Sequence, residues 1–179
     1  QVFVETALAR HGNGVSVLPL PATLAELRDI SFSEALALLD LLRGFFDLQV
    51  IDLGGFSNAE FMAQIVKAAD AVVVVAEQSV GAIVSAAELL QELRKREIDR
   101  QDLHLLVSRF DPELGVDAEQ IAERIGLASA GTLPDRRAAL LQAANRGVVL
   151  ADDAPADPYV RAMGALMERL GYHAGQPTE

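Results

Sequence analysis

The sequence predicts an α/β fold in which helices flank a layered, mostly parallel sheet. Three observations carry that expectation. Strand-length apolar runs recur along the chain, and the most uniform, AVVVVA at Ala71 to Ala76, is apolar on both faces, as the interior of a parallel sheet requires. Longer segments between them space their apolar residues as helices do, several behind a capping residue. The two kinds alternate in the order that βαβ units produce. A chain of 179 residues is large enough to bury a substantial core as one domain.

Taken in order, VSVLPLP (Val15 to Pro21) reads as a short strand ended by prolines, with His11 in the turn RHGNG ahead of it. SFSEALALLDLLRGFF follows as a helix, opened by Ser31 and Glu34 at capping-box spacing. Leu48 to Asp52 reads as the second strand. Ser57 and Glu60 repeat the capping-box spacing before a helix striped by Phe61, Ile65 and Ala69. After the strand Ala71 to Ala76, a long helix runs from Val80 to Arg96, with Ile83, Ala87, Leu90 and Leu93 inward. Leu103 to Ser108 is the fourth strand. Asp117 caps a helix that stops at Gly126, and a strand near Ala130 to Leu133 leads to a helix from Arg136 to Asn145 capped by Asp135. Gly147 to Leu150 reads as a short extended piece. Asp157 and Pro158 form a cap and first-turn pair for a last helix carrying Val160, Met163, Met167 and Leu170. Residues 172–179 read as a flexible tail.

Charge and composition narrow the functions. A net charge of −11 disfavours binding to nucleic acid or to anionic lipid, and no apolar run approaches the length of a membrane span. The basic spots, LRKRE at Leu93 to Glu97 and the pair Arg136–Arg137, are small, and the first reads as a solvated helix end. Without cysteine there are no disulfides, thiolate metal sites or cysteine nucleophiles. The chain opens on Gln1, as a cut or processed N-terminus would.

In open parallel sheets ligands sit beyond the carboxyl ends of the strands. That rule gathers Asp52-Leu53-Gly54-Gly55, Glu77-Gln78-Ser79, Ser108-Arg109-Phe110 and Pro134-Asp135 as candidate positions. An acid closing an apolar strand can hold magnesium through a water beside a phosphate chain, and glycines after it let the backbone approach. The same tetrapeptide also reads as a strand end and a turn before the Ser57 cap. A phosphate cradle of the form G-x-x-x-x-G-K-[ST] does not occur in the 179 residues; Lys67 and Lys95 both lie late in helices. His11, His104 and His173 are scattered without metal-ligand spacing, and there is no G-x-S-x-G elbow. Asp152 and Asp153 read as solvated loop acids, and Met163 and Met167 as core packing.

Together these residues resemble a known family. FVETALARHGNGVSVLPLPATLAEL, FDLQVIDLGG, AADAVVVVAEQSVGAIVSAAELLQEL, LVSRFDPELGVDAEQIAERIGL and GTLPDRRAALLQAANRGVVL follow, in order and spacing, the CpaE/TadZ-type pilus-assembly proteins. These belong to the MinD/ParA class of deviant-Walker P-loop ATPases (the SIMIBI type of P-loop NTPase). The resemblance implies that Asp52 is the Walker B acid, holding Mg through water and acting in catalysis. It implies that Gly54 and Gly55 form the switch II turn. Ser108 and Arg109 would meet the adenine of ATP, with Leu133, Pro134 and Asp135 as the other wall. Ser108 stands where the family usually has asparagine, and Gly54 where many relatives have proline, which implies a looser turn.

The family's Walker A loop comes before anything in this sequence, so residues 1–171 are expected to be the N-terminally incomplete, C-terminal two-thirds of such an ATPase domain. The strand missing from it would lie beside the Asp52 strand. The implied partners are a second copy, in a homodimer of the complete protein, and the proteins of a pilus or secretion machine, without nucleic acid or direct membrane insertion. The implied location is cytoplasmic, with recruitment to the cell pole or inner-membrane machinery. Two readings compete with an ATP-dependent positioning factor. One is a non-catalytic pseudo-ATPase scaffold, favoured by the absent cradle and by Ser108. The other is a receiver-like module phosphorylated at Asp52, which lacks the upstream acidic pair such a module needs.

Overall fold

The computed structural model describes residues 8–18, 31–54, 58–98 and 102–172. The chain divides into two compact units, the first ending at Gln64 and the second running from Ile65 to Gln176.

The first unit opens with a small antiparallel ribbon, β1 (Ala9–Arg10) against β2 (Ser16–Val17), where the sequence predicts a longer strand from Val15 to Pro21. The turn decides this locally. His11 N–H donates to Val15 O at 2.8 Å, Val15 N–H donates to Asn13 Oδ1 at 3.2 Å, and Gly14 takes a φ of 96°. A left-handed glycine in so short a loop folds the chain back on itself without a distant partner. Pro19 to Pro21 lie outside the described residues.

Helix α1 (Phe32–Leu42) has both arms of the expected capping box: Glu34 N–H donates to Ser31 Oγ, and Ser31 N–H to the Glu34 carboxylate. Its leucines outnumber its buried positions; Leu42 is buried, while Leu38 and Leu41 are exposed. Leu48 to Asp52, expected as a strand, runs without a ladder, because a strand needs a hydrogen-bonding neighbour and none pairs with it among the described residues. Val50 is accordingly 84% exposed. Helix α2 (Ala59–Ala68) starts behind Asn58, whose Oδ1 accepts from Phe61 N–H at 2.9 Å. The Ser57 cap expected there lies outside the described residues. Phe61 is buried and stacks on Phe32, ring centroids 4.9 Å apart.

The second unit is built on a three-stranded parallel sheet of order β3 (Val72–Glu77), β4 (Leu103–Phe110), β5 (Ala128–Pro134). Its register runs from Val72 opposite Leu103 to Glu77 opposite Ser108, and from His104 opposite Ala128 to Phe110 opposite Pro134. Parallel neighbours need crossovers, supplied by α3 (Val80–Arg94) and α4 (Ala118–Ile125). Ser79 caps α3, Asp117 caps α4, and Gly126 ends α4 in the left-handed conformation, as its sequence predicts.

The central strand β4 is apolar on both faces. Leu105 and Val107 are each 1% exposed, and Leu106, alternating with them, packs on the other face with Ala130, Leu133 and Leu166. Leu166 belongs to α7 (Pro158–Arg169), whose Met163 joins the same cluster and is core packing. Between β5 and α7 lie α5 (Arg137–Asn145) and the four-residue α6 (Leu150–Asp153). The extended piece expected at Gly147 to Leu150 instead passes into α6, because Val148 N–H returns to Ala143 O at 3.1 Å and leaves no edge to pair with. Asp152 and Asp153 therefore sit on a helix, and Asp153 pairs with Arg146 rather than standing in solvent alone. No helix among the described residues is long and apolar enough to cross a membrane.

Candidate functional site

Asp52 and Gly54 belong to the first unit, and their geometry is local. Asp52 Oδ1 accepts from Gly54 N–H at 2.8 Å, closing a two-residue turn directly after the apolar run. A Cβ built on Gly54 would lie 2.9 Å from that same oxygen, so a side chain there would push the carboxylate out of place. Proline, which the resemblance puts at this position in many relatives, would lack the N–H altogether. The expected looseness is thus answered by a hydrogen bond that fixes Asp52. No hydrogen bond to its second oxygen occurs among the described residues. Gly55 lies outside the described residues. No group of three or more His, Cys, Asp or Glu that could chelate a metal occurs among the described residues.

The second unit brings Ser108, Arg109, Leu133, Pro134 and Asp135 together at the carboxyl ends of β4 and β5. They line an open cavity of about 450 Å³ with Leu140, Leu141, Ala144 and Tyr159. That volume is in the range of small-ligand sites. Its wall is mostly apolar, with Ser108, Arg109, Asp135, Arg136 and Arg137 as polar lining groups. Ser108 turns its hydroxyl back to donate to Ala76 O at 3.4 Å, where an asparagine would extend an amide.

Arg109 is the most constrained residue of the group. Val107 pairs with Thr132 and Phe110 with Pro134, so two residues, Ser108 and Arg109, face the single Leu133. Arg109 absorbs this bulge with a φ of 53°, a left-handed conformation that costs a side-chain-bearing residue energy and is found at functional sites. Its guanidinium reaches Glu77 Oε1 at 2.6 Å and Asp135 Oδ2 at 3.5 Å, so one side chain joins the ends of all three strands. The hydrogen bond and charge of Glu77, with a smaller contribution from Asp135, raise the Arg109 pKa further above its ordinary value.

Asp135 is not the helix cap that the sequence predicts. The cap position of α5 falls on Arg136, and Asp135 instead accepts from Arg137 N–H at 3.0 Å. That hydrogen bond, together with the charges of Arg137 and Arg109, lowers the Asp135 pKa. Two further features escape a reading by motif. Gln78 donates to Val116 O at 2.7 Å and accepts from Asp111 N–H at 3.0 Å, stapling the loop after β4 to the end of β3. Arg136, which lines the cavity, pairs with Asp157 at 2.7 Å. The position of Gln78 at a strand end was the available signal; nothing local announces Arg136 as the partner of Asp157. At the basic helix end α3 stops at Arg94 and not at the expected Arg96, and Lys95 and Arg96 both pair with Glu92.

Comparison with solved structures finds the same fold. A ParA family ATPase from Chlorobium tepidum TLS superposes with a TM-score of 0.83 at 16% identity, covering 97% of this chain and 70% of its own. The septum site-determining protein MinD of Pyrococcus horikoshii OT3, in complex with Mg-ADP, gives 0.77 at 14% identity, with 98% and 72% covered. The MinD cell division protein of Aquifex aeolicus gives 0.69 at 16% identity over the same shares. No family model matches the sequence, and no curated protein does. The α/β architecture with its parallel sheet is therefore that of the MinD/ParA P-loop ATPases.

Proposed function

We propose that this chain is the C-terminal two-thirds of a MinD/ParA-like ATPase domain that positions or assembles a bacterial pilus or secretion machine. The observation that carries the reading is the fold likeness to ParA and MinD ATPases over 97–98% of the chain. The cavity at the ends of β4 and β5 supports it, because open parallel sheets bind nucleotides at that end. In the complete protein Asp52 would hold Mg through water, Gly54 and Gly55 would respond to the γ-phosphate, and the cavity walls would receive the adenine. The magnesium neutralises phosphate charge when bound. The residues here contribute an oriented carboxylate and a shaped base pocket.

The phosphate cradle, absent from these 179 residues, is assigned to a preceding segment of the longer polypeptide. A β3 edge that pairs with no strand among the described residues is in keeping with such a segment. The pilus assignment rests on the ordered resemblance to CpaE/TadZ-type proteins. Homodimerisation around nucleotide and recruitment to a pole or inner-membrane machine through protein contacts belong to the same reading.

The second reading, a pseudo-ATPase scaffold acting through protein contacts, is favoured by Ser108, whose hydroxyl is turned to Ala76 and away from amide-like recognition. ATP binding and turnover of the chain and of a form extended upstream, each with and without Asp52→Ala, separate the two. Turnover confined to the extended form and lowered by Asp52→Ala is the expected result. An extended form that carries no cradle lysine and binds no ATP establishes the scaffold.

A further inference from the structure

We propose that Glu77 is a positioning residue that holds the Arg109 guanidinium across the mouth of the cavity, ready to stack on a planar heteroaromatic ring. The identity of that ring as a nucleobase rests on the proposed function; the role of Glu77 rests on geometry. A surface arginine normally samples many rotamers. Here the bulge between Val107 and Phe110 aims the side chain, and its left-handed backbone at φ 53° is a constraint with no evident gain in packing. Arg109 and Glu77 are about half exposed, 47% and 50%, so their 2.6 Å ion pair contributes little to folding stability. What the pair does supply is direction. Of the two acids that reach Arg109, Asp135 is farther, at 3.5 Å, and is already engaged by Arg137 N–H. Glu77 is therefore the principal anchor.

A guanidinium is planar and weakly hydrated, which suits it to lie on an aromatic face. The same cavity is lined by Leu133, Pro134, Leu141 and the ring of Tyr159. A ring entering the cavity meets these apolar residues and the cation that Glu77 anchors. Without Glu77 the cation must be ordered during binding, which weakens the complex.

The test is a titration of the 179-residue chain with adenosine, which carries the base without phosphates and so bypasses the absent cradle. It is followed by the Arg109 Nε–Hε and Tyr159 ring resonances. In the wild-type chain a discrete Arg109 signal is expected, shifting together with Tyr159 as adenosine is added. Glu77→Gln should average the Arg109 signal and weaken adenosine binding about five- to tenfold. Glu77→Asp should restore part of it, with thermal midpoints unchanged. Wild-type affinity and an unchanged Arg109 signal in Glu77→Gln would overturn the proposal. So would the absence of any response of Arg109 or Tyr159 to adenosine in the wild-type chain. The first outcome leaves the proposed function untouched; the second removes the base pocket from it, while ATP turnover of the extended form decides the ATPase activity separately.

Discussion

Arg136 and Asp157, 21 positions apart, meet in a forked pair, with Nη2 2.7 Å and Nε 3.0 Å from Oδ2. Asp157 also accepts from Tyr159 N–H at 2.9 Å, so one carboxylate caps α7 and ties it to Arg136 at the cap position of α5. Its side chain is 5% exposed, unlike the other acids around the cavity. We expect Asp157→Ala to lower the thermal midpoint by several degrees and Asp157→Asn, which keeps the capping oxygen, to lower it less. The Arg136 hydrogen bond, followed by the Tyr159 N–H, lowers the folded pKa of Asp157 below the ordinary 3.8. A depressed carboxyl contributes fully above its unfolded value and loses its contribution as pH falls through the folded one. The difference between wild type and Asp157→Asn should therefore persist at pH 7 and shrink below about pH 4. Denaturant titrations at both pH values measure it; an undiminished difference in acid would refute the linkage.

Gly54→Ala places a Cβ against Asp52 Oδ1, at 2.9 Å before any adjustment. The turn is on the surface, so the thermal midpoint should move by no more than about 1–2 °C. In the extended form ATP turnover should fall at least about tenfold, because a misplaced carboxylate no longer meets the metal water. Undiminished turnover would show that the Asp52 turn need not be fixed.

Leu105 is 1% exposed in the central strand. Leu105→Ala removes buried volume that close neighbours cannot refill, at a cost of about 2–5 kcal/mol. That corresponds to a midpoint lowered by roughly 5–15 °C in a chain of this size. Thermal unfolding followed by circular dichroism checks this, and a shift below about 2 °C would mean that β4 is not the centre of the core.

Val75 is 58% exposed on β3, whose outer edge pairs with no strand among the described residues. Apolar open edges invite pairing between molecules, and lysine on such an edge opposes it. The 179-residue chain should self-associate with increasing concentration, and Val75→Lys should shift it toward monomer at unchanged thermal midpoint. Light scattering coupled to gel filtration reads the effect; identical profiles would exclude the β3 edge as the contact.

Much of the second unit is legible in the sequence because its signals are local. Asp117 with Gly126, and Asp157 with Pro158, start and stop helices through contacts within a few residues. The run at β3 and the apolar β4 declare strands that a sheet must cover on both faces. The first unit is less legible for the same reason in reverse. Leu48 to Asp52 has strand composition, but pairing is a property of two segments, and no ladder forms there among the described residues. At the cavity, the strand-end rule points to Ser108, Arg109 and Asp135, while the bulge that aims Arg109 depends on register with β5.

The amino-acid sequence by itself determined the alternation of helix and strand, the caps, the acid closing an apolar run and the lack of a phosphate cradle in these residues. Each is written in neighbours close along the chain, where composition and spacing suffice. Only the tertiary structure decided that Arg109 reaches both Glu77 and Asp135, and that Arg136 closes on Asp157. Those partners lie 32 and 21 positions away for Glu77 and Asp157. A charged side chain can choose among many such partners until packing of the sheet and its helices fixes which one stands within reach.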